Sequence, residues 1–148
     1  MPFLTSPSEA ITVGNQAALI GWAILILLPR WDAIVLVPKY LIPLGLCLLY
    51  PLFFLPEFAN SGGGFGSLDA IAALFQNPKI LAAGWLHYLA FDLFVGAWIA
   101  QDADRLGAPR SIQAGLLATT FMFGPVGLAL YLISRTLFVI PTGAESHD

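Results

Sequence analysis

The chain has 148 residues, of which 58% are hydrophobic and only 10% are charged, and its formal net charge at pH 7 is −3. Soluble domains carry about a quarter charged residues, and a soluble core of this length could not bury so much apolar surface. The composition therefore excludes an ordinary soluble domain, and the lack of a basic stripe argues against a nucleic-acid partner.

Four apolar runs are long enough to cross a bilayer, which takes about 20 residues of helix at a rise of about 1.5 Å each. The runs are residues 10–28, 34–55, 80–100 and 112–133. They predict an all-α fold, a single-domain integral membrane bundle of four transmembrane helices surrounded by lipid. Residues 1–9 contain no Lys or Arg, so we expect no cleaved signal or transit peptide and a first helix that is retained.

The second run is the least regular because it contains Pro38, Pro43 and Pro51. A proline inside a helix removes a backbone hydrogen bond and kinks the chain. We therefore expect the regular part of this helix to begin after Pro38 and Lys39, with residues 30–37 in the membrane interface.

The segments outside the four runs are polar or rich in glycine. Residues 56–68 contain a glycine run and predict a flexible loop. Residues 67–76 follow with apolar side chains at helical spacing behind Ser67, which predicts an amphipathic helix on the membrane surface. The last residues, 141–148, are expected to form a flexible tail.

The distribution of Lys and Arg predicts the orientation, because cytoplasmic loops carry the excess of positive charge. With four full crossings, one side of the membrane holds Arg30, Lys39, Arg105 and Arg110, and the other holds Lys79 and Arg135. This count favours a topology with both termini outside.

The third run places His87, Tyr88 and Asp92 in the middle of a spanning helix. An aspartate at the bilayer centre costs about 2.5–3.5 kcal/mol even on lenient scales, so it normally faces protein and has a partner or a function. Tyr88 and Asp92 are four residues apart and share one face, whereas His87 and Asp92 are about 140° apart around the helix. The two groups are candidates for acid–base work on a lipophilic substrate. Hydrogen bonding between helices is the alternative.

Other polar and aromatic groups could contribute to a site near Asp92. Asn15 in the first run could bond across to Asp92 or His87, although its alternative role is to hold helices together. Trp98 could stack on a long polyene or only pack at an interface. In the fourth run, Gly124-Pro125 interrupts the helix, as a pocket wall or a kink, and Tyr131 follows.

Several chemistries are excluded by residue counts. A metal site needs three or four ligands, but the chain has two His and one Cys, so no metal is expected. There is no phosphate-binding loop and no nucleophile elbow. We expect no cofactor.

Two stretches resemble the plant abscisic-acid-deficient-4 family of membrane proteins, which is associated with neoxanthin synthesis. They are GWLHYLAFDLFVGAWI at 84–99 and FGPVGLALYLISR at 123–135. The similarity also extends to TVGNQAALIG at 12–21 and LPE at 55–57. With no transit peptide expected, the resemblance suggests a bacterial relative in a cell membrane, the inner membrane of a bacterium.

The resemblance implies a carotenoid isomerase. In such a reaction an acid protonates the oxygen of an epoxy-carotenoid and a base removes a proton from the adjacent polyene carbon. His87 and Asp92 match the family's histidine and aspartate and would act as the acid–base pair, with Tyr88 or Tyr131 assisting and Asn15 and Trp98 helping to bind substrate. The expected partner is a carotenoid or another apolar small molecule, and a homo-oligomer is left open. The alternative functions are a non-enzymatic accessory or assembly protein and a small proton or ion carrier.

Overall fold

The computed structural model describes residues 6–139, and this part of the chain is helical without a strand. The all-α prediction is confirmed. The elements are α1 (Pro7–Leu27), α2 (Asp32–Leu36), a π-helical turn (Val37–Leu41), α3 (Ile42–Phe58), α4 (Leu68–Phe75), α5 (Pro78–Arg105), α6 (Arg110–Phe123) and α7 (Pro125–Val139). The predicted tail at 141–148 lies outside the described residues.

Three helical segments of this part of the chain are long and apolar enough to cross a membrane: Pro7–Leu27, Asp32–Phe58 and Pro78–Arg105. The second of them joins α2, the π-turn and α3 without a break. This helical segment begins at Asp32, before Pro38, whereas the sequence predicted that it begins after Pro38. Pro38 lies in the π-turn, in which the backbone N–H of Ile42 bonds back to the carbonyl of Val37.

Helix α5 lies at the centre of the bundle and packs against α1, α3, α6 and α7. Small residues let α1 approach it closely. The Leu86 side chain of α5 fills the space where Gly14 has no side chain, and the Trp22 ring of α1 lies over Gly96. Such contacts between small and large side chains are how helices associate in lipid, where apolar burial gives no driving force.

The helix predicted at 67–76 is present as α4. The Ser67 hydroxyl accepts a hydrogen bond from the backbone N–H of Ala70 at 3.1 Å, which is the expected N-cap. Leu74 is buried and Leu68 is exposed. The helix therefore presents an apolar side to its surroundings next to the start of α5.

The predicted fourth run is two helices, not one. Helix α6 ends at Gly124, whose φ of +45° suits glycine, and α7 begins at Pro125. A methyl group built on Gly127 would overlap the backbone of Thr120, although seven residues of continuous helix would separate the two by about 10 Å. The chain therefore reverses, and a fourth spanning helix is not confirmed.

The two helices form a hairpin that enters and leaves from the same end of α5. Its tip at Gly124 lies against Asp92, and α7 runs back to Asp102, which pairs with Arg135 at 2.6 Å. Asp92 and Asp102 are ten residues or about 15 Å apart along α5, which is half of the hydrocarbon thickness of about 30 Å. We call this element the re-entrant hairpin.

The reversal changes the charge count. Arg135 was predicted to lie with Lys79, but it lies beside Asp102 at the opposite end of α5. Of the six Lys and Arg residues, only Lys79 is then at the end where α1 begins. The rule that placed both termini outside now favours α1 beginning outside and α7 ending in the cytoplasm.

A polar network closes the end of the bundle opposite the start of α1, which we call the Arg30 end. The Arg30 side chain, 5% exposed, pairs with Asp104 at 2.9 Å and donates to the carbonyl of Ala100 at 2.8 Å and to the Gln113 side chain. Gln113 in turn donates to Asp104 at 2.9 Å. Burial lowers the pKa of the Arg30 guanidinium and Asp104 opposes this shift. One cation thus joins the α1–α2 connection to α5 and α6.

Candidate functional site

Asp92 lies in the middle of α5 and faces the tip of the re-entrant hairpin. A β-carbon built on Gly124 would lie 3.0 and 3.1 Å from its two carboxylate oxygens. A larger residue at the turn would therefore crowd the carboxylate as well as strain the backbone. The break at Gly124-Pro125, which the sequence left as a pocket wall or a kink, brings the chain into contact with this acid.

A cavity of about 350 Å³ opens beside Asp92 between α1, α5 and α6. We call it the central cavity. Asn15, Tyr88 and Asp92 provide its polar groups, and its apolar walls include Trp22, Leu19, Leu89, Phe121 and Met122. Tyr88 precedes Asp92 by one turn of α5 and lines the same cavity. Three of the predicted site residues thus meet in one cavity.

Asn15 is held in place by an indole that the sequence did not single out as a site residue. The Trp85 Nε1–H donates to the Asn15 side-chain oxygen at 2.7 Å and joins α1 to α5. The Asn15 amide nitrogen keeps its two N–H donors for other groups. Because Asn15 and Trp85 are 70 residues apart in the chain, no local pattern could have predicted this pair.

His87 lies on a different side of α5 from Asp92. Its ring stacks on Phe91 with centroids 4.4 Å apart and lies 6.0 Å from the ring of Tyr50 on α3. It lines a separate groove of about 260 Å³, with Phe54 and Phe65 among its walls. His87 and Asp92 therefore do not face one cavity, in keeping with their separation of about 140° on an ideal helix.

Trp98 and Tyr131 form a third group, toward the Arg30 end. Their rings meet edge to face with centroids 5.5 Å apart. Tyr131 is fully buried, and its hydroxyl donates to the Asp102 carboxylate at 2.6 Å. Neither side chain lines the central cavity. Tyr131 holds α7 against α5.

The arrangement offers groups for proton transfer and hydrogen bonding. Within residues 6–139, no group of three or more His, Cys, Asp or Glu side chains could hold a metal ion. The central cavity combines one carboxyl, one phenol and one amide with aromatic walls. Such a site suits an apolar molecule that carries an oxygen function, because the carboxyl and phenol can bond that oxygen while the rings contact the apolar part.

Comparison with known proteins gives one family. The family described as ABA DEFICIENT 4-like matches residues 10–131. Among curated proteins, the chain is similar to the protein ABA DEFICIENT 4, chloroplastic, of Arabidopsis thaliana, with 24% identity over 141 residues. The match covers 88% of this chain and 62% of the Arabidopsis protein, so the chain spans less than two thirds of that relative's length. No solved structure matches the chain.

Proposed function

Because the chain belongs to the ABA DEFICIENT 4-like family, we propose that it binds a carotenoid or a similar long apolar molecule and isomerises it. The oxygen-bearing end of this molecule would enter the central cavity, and its apolar chain would extend along the bundle toward lipid. The observation that carries the proposal is the position of Asp92, a carboxyl at membrane depth in a cavity shared with Tyr88 and Asn15.

The cavity supports binding of such a molecule by its mixed lining. Trp22, Trp85 and Phe121 supply flat aromatic surface that favours contact with a conjugated chain. The Asn15 amide and the Tyr88 phenol supply donors for a hydroxyl or epoxide oxygen. A polar end group of the ligand can hydrogen-bond to these donors in the cavity, whereas it would be unpaired in the hydrocarbon of the bilayer. Its free energy is therefore lower in the cavity.

The chemistry proposed is the neoxanthin-synthase type of isomerisation of an epoxy-carotenoid. The carboxyl form of Asp92 gives its proton to the epoxide oxygen as the carbon–oxygen bond opens. The carboxylate that remains receives the proton that leaves the adjacent polyene carbon, either directly or through Tyr88, which passes its own hydroxyl proton to the carboxylate as it takes up the one from carbon. One proton enters and one leaves, so substrate and product are isomers and no cofactor is consumed.

The proposal does not use His87 as the acid–base partner of Asp92, which is the role that the sequence analysis expected. It lines its own groove with Tyr50 and Phe54 and would reach a bound molecule only if that molecule also contacted the α3 side of α5. Its catalytic role remains a prediction. Asp92 with Tyr88 is the acid–base pair that we propose instead.

The location that we propose is a cell membrane, the inner membrane if the source is bacterial. Three helical segments that could cross a bilayer support a multi-pass protein. The plant relative is named as chloroplastic, so the identity of the membrane is tested best by fractionating the native host.

The binding step is tested by purifying the protein in detergent from a host that makes epoxy-carotenoids and extracting the pigment that accompanies it. We expect the unchanged protein to retain pigment and Asp92→Asn to lose most of it. Asp69→Asn, which changes an exposed carboxylate on α4, is the matched control and should retain pigment. Equal retention by all three proteins, each monodisperse in detergent, would contradict the proposed site.

Turnover is tested with the same proteins and an added 5,6-epoxy-carotenoid. We expect a product of unchanged mass and altered absorption from the unchanged protein and none from Asp92→Asn. Pigment retention without any product would leave binding supported and isomerisation refuted, as expected for an accessory protein. Proton flux into pigment-free vesicles that Asp92→Asn abolishes would favour the proton carrier.

A further inference from the structure

The tip of the re-entrant hairpin leaves backbone groups without helical partners at the depth of Asp92. The Thr120 carbonyl and the Leu128 amide are paired across the turn with Gly124. The amides of Val126 and Gly127 and the last carbonyls of α6, at residues 121–123, have no intrahelical partner, as is usual at helix ends. Met122, Phe123 and Val126 around the tip are 61%, 62% and 53% exposed. Gly124 itself is buried, but the rest of the described chain leaves the residues on either side of it uncovered.

Lipid could cover the tip only at a large cost in free energy. Each unsatisfied backbone group in hydrocarbon costs several kcal/mol, and irregular backbone at membrane depth occurs where it is buried in protein or lines a water-filled space. The hairpin reaches only half of the membrane thickness. Beyond its tip, α1 and α5 are left open toward the end where α1 begins, and we call this open space the notch.

One wall of the notch is a polar stripe on α1. Ser8, Thr12, Asn15 and Gln16 follow one another at helical spacing, and only Asn15 among them is partly covered. A lipid-facing helix surface in the same protein looks different. The exposed positions of α3 include four leucines, at 44, 48, 52 and 55. The stripe is therefore suited to water and not to acyl chains.

The other end of the notch is closed. Between the level of Asp92 and the level of Asp102, buried side chains of α1, α5, α6 and α7 pack into one apolar cluster, which includes Leu25, Leu93, Ala97, Leu117 and Tyr131. The Arg30 network lies beyond it. No polar route crosses this cluster among the residues that the structure describes.

We infer that water fills the notch from the end where α1 begins and reaches the hairpin tip and Asp92, and that it does not reach them from the Arg30 end. Water satisfies the free amides and carbonyls of the tip and the side chains of the polar stripe. It also gives Asp92 a route for protons to one side of the membrane only. This inference does not depend on the identity of the ligand or on turnover.

Single cysteines test the inference. In a Cys47→Ser background, Leu19→Cys and Met122→Cys place a thiol in the wall of the central cavity, where it opens into the notch, at positions that are 53% and 61% exposed. Leu48→Cys, at a position that is 63% exposed on the leucine face of α3, is the matched lipid-facing control. Ser8→Cys and Arg105→Cys, both at exposed positions, mark the two sides. A charged, membrane-impermeant methanethiosulfonate is applied to one side of sealed vesicles from a host without carotenoids.

We expect Leu19→Cys and Met122→Cys to react from the side of Ser8→Cys only. They should react at least about tenfold faster than Leu48→Cys, because a thiol ionises and reacts only where water reaches it. Rates at both positions as slow as at Leu48→Cys would overturn the inference, and so would reaction from the side of Arg105→Cys. Fast reaction at Leu19→Cys with slow reaction at Met122→Cys would overturn it as well, since water would then stop short of the tip.

Discussion

Glycines decide where the helices of this protein can touch, and they differ in what surrounds them. Gly127 packs directly on the backbone of Thr120, and Gly96 lies under the Trp22 ring. Gly115 on α6 has no atom within 4 Å of where a β-carbon would stand. The same substitution should therefore have opposite effects at different glycines.

Gly127→Ala should destabilise the protein by about 1–3 kcal/mol, because the added methyl overlaps a neighbouring backbone that cannot move aside as a side chain can. Gly115→Ala, in the other helix of the hairpin, should be neutral or slightly stabilising, since alanine is the better helix former. Thermal unfolding in detergent measures both. A Gly127→Ala protein as stable as Gly115→Ala would contradict the close packing of α6 on α7.

The hydrogen bond from Tyr131 to Asp102 is the second feature with a clear prediction at the scale of single residues. The Tyr131 hydroxyl is buried and bonds the carboxylate at 2.6 Å. Tyr131→Phe should lower stability by about 1–2 kcal/mol, because it removes a hydrogen bond to a charged group that is not freely replaced by water. Tyr40→Phe, at a half-exposed tyrosine, should have little effect. Similar unfolding temperatures for the two variants would contradict the prediction.

Among the elements, the helical runs were predictable and the reversal of the last one was not. Length and hydropathy located α1, α3 and α5, and the Ser67 cap located α4. The sequence also marked Gly124-Pro125 as a break. Whether such a break bends a helix or turns the chain back depends on Gly127 meeting Thr120 and on Asp102 meeting Arg135. These contacts join residues from separate helices and leave no local pattern.

The turn itself gives the prediction at this scale. Gly124 has a φ of +45° and lies against the Asp92 carboxylate, so Gly124→Ala is strained and also crowds the acid. We expect it to reduce pigment retention as Asp92→Asn does and to lower the unfolding temperature, whereas Gly45→Ala, in open space on α3, should change neither. Full pigment retention by Gly124→Ala would contradict the contact between the turn and the site.

At the scale of the whole molecule, the candidate site was predicted only in part. Helical spacing grouped Tyr88 with Asp92 and set His87 apart, and the structure keeps that division. Helical spacing could not predict that Trp85 donates a hydrogen bond to Asn15. It also could not predict that Arg30, Asp104 and Gln113 form one network. Each of these pairs depends on how distant helices are placed against each other, and they become neighbours only when the bundle assembles.

The central claim is that the chain crosses the membrane three times and then enters it a fourth time without crossing, so that the hairpin tip meets Asp92. Reporters that are active on only one side of the membrane, fused before Met1 and after Asp148, test it most directly. We predict that the two ends report opposite sides, with the end that follows α7 in the cytoplasm, because five of the six cationic side chains lie at that end. Both reporters on the same side, as four full crossings would give, would contradict the re-entrant hairpin and the site built on it.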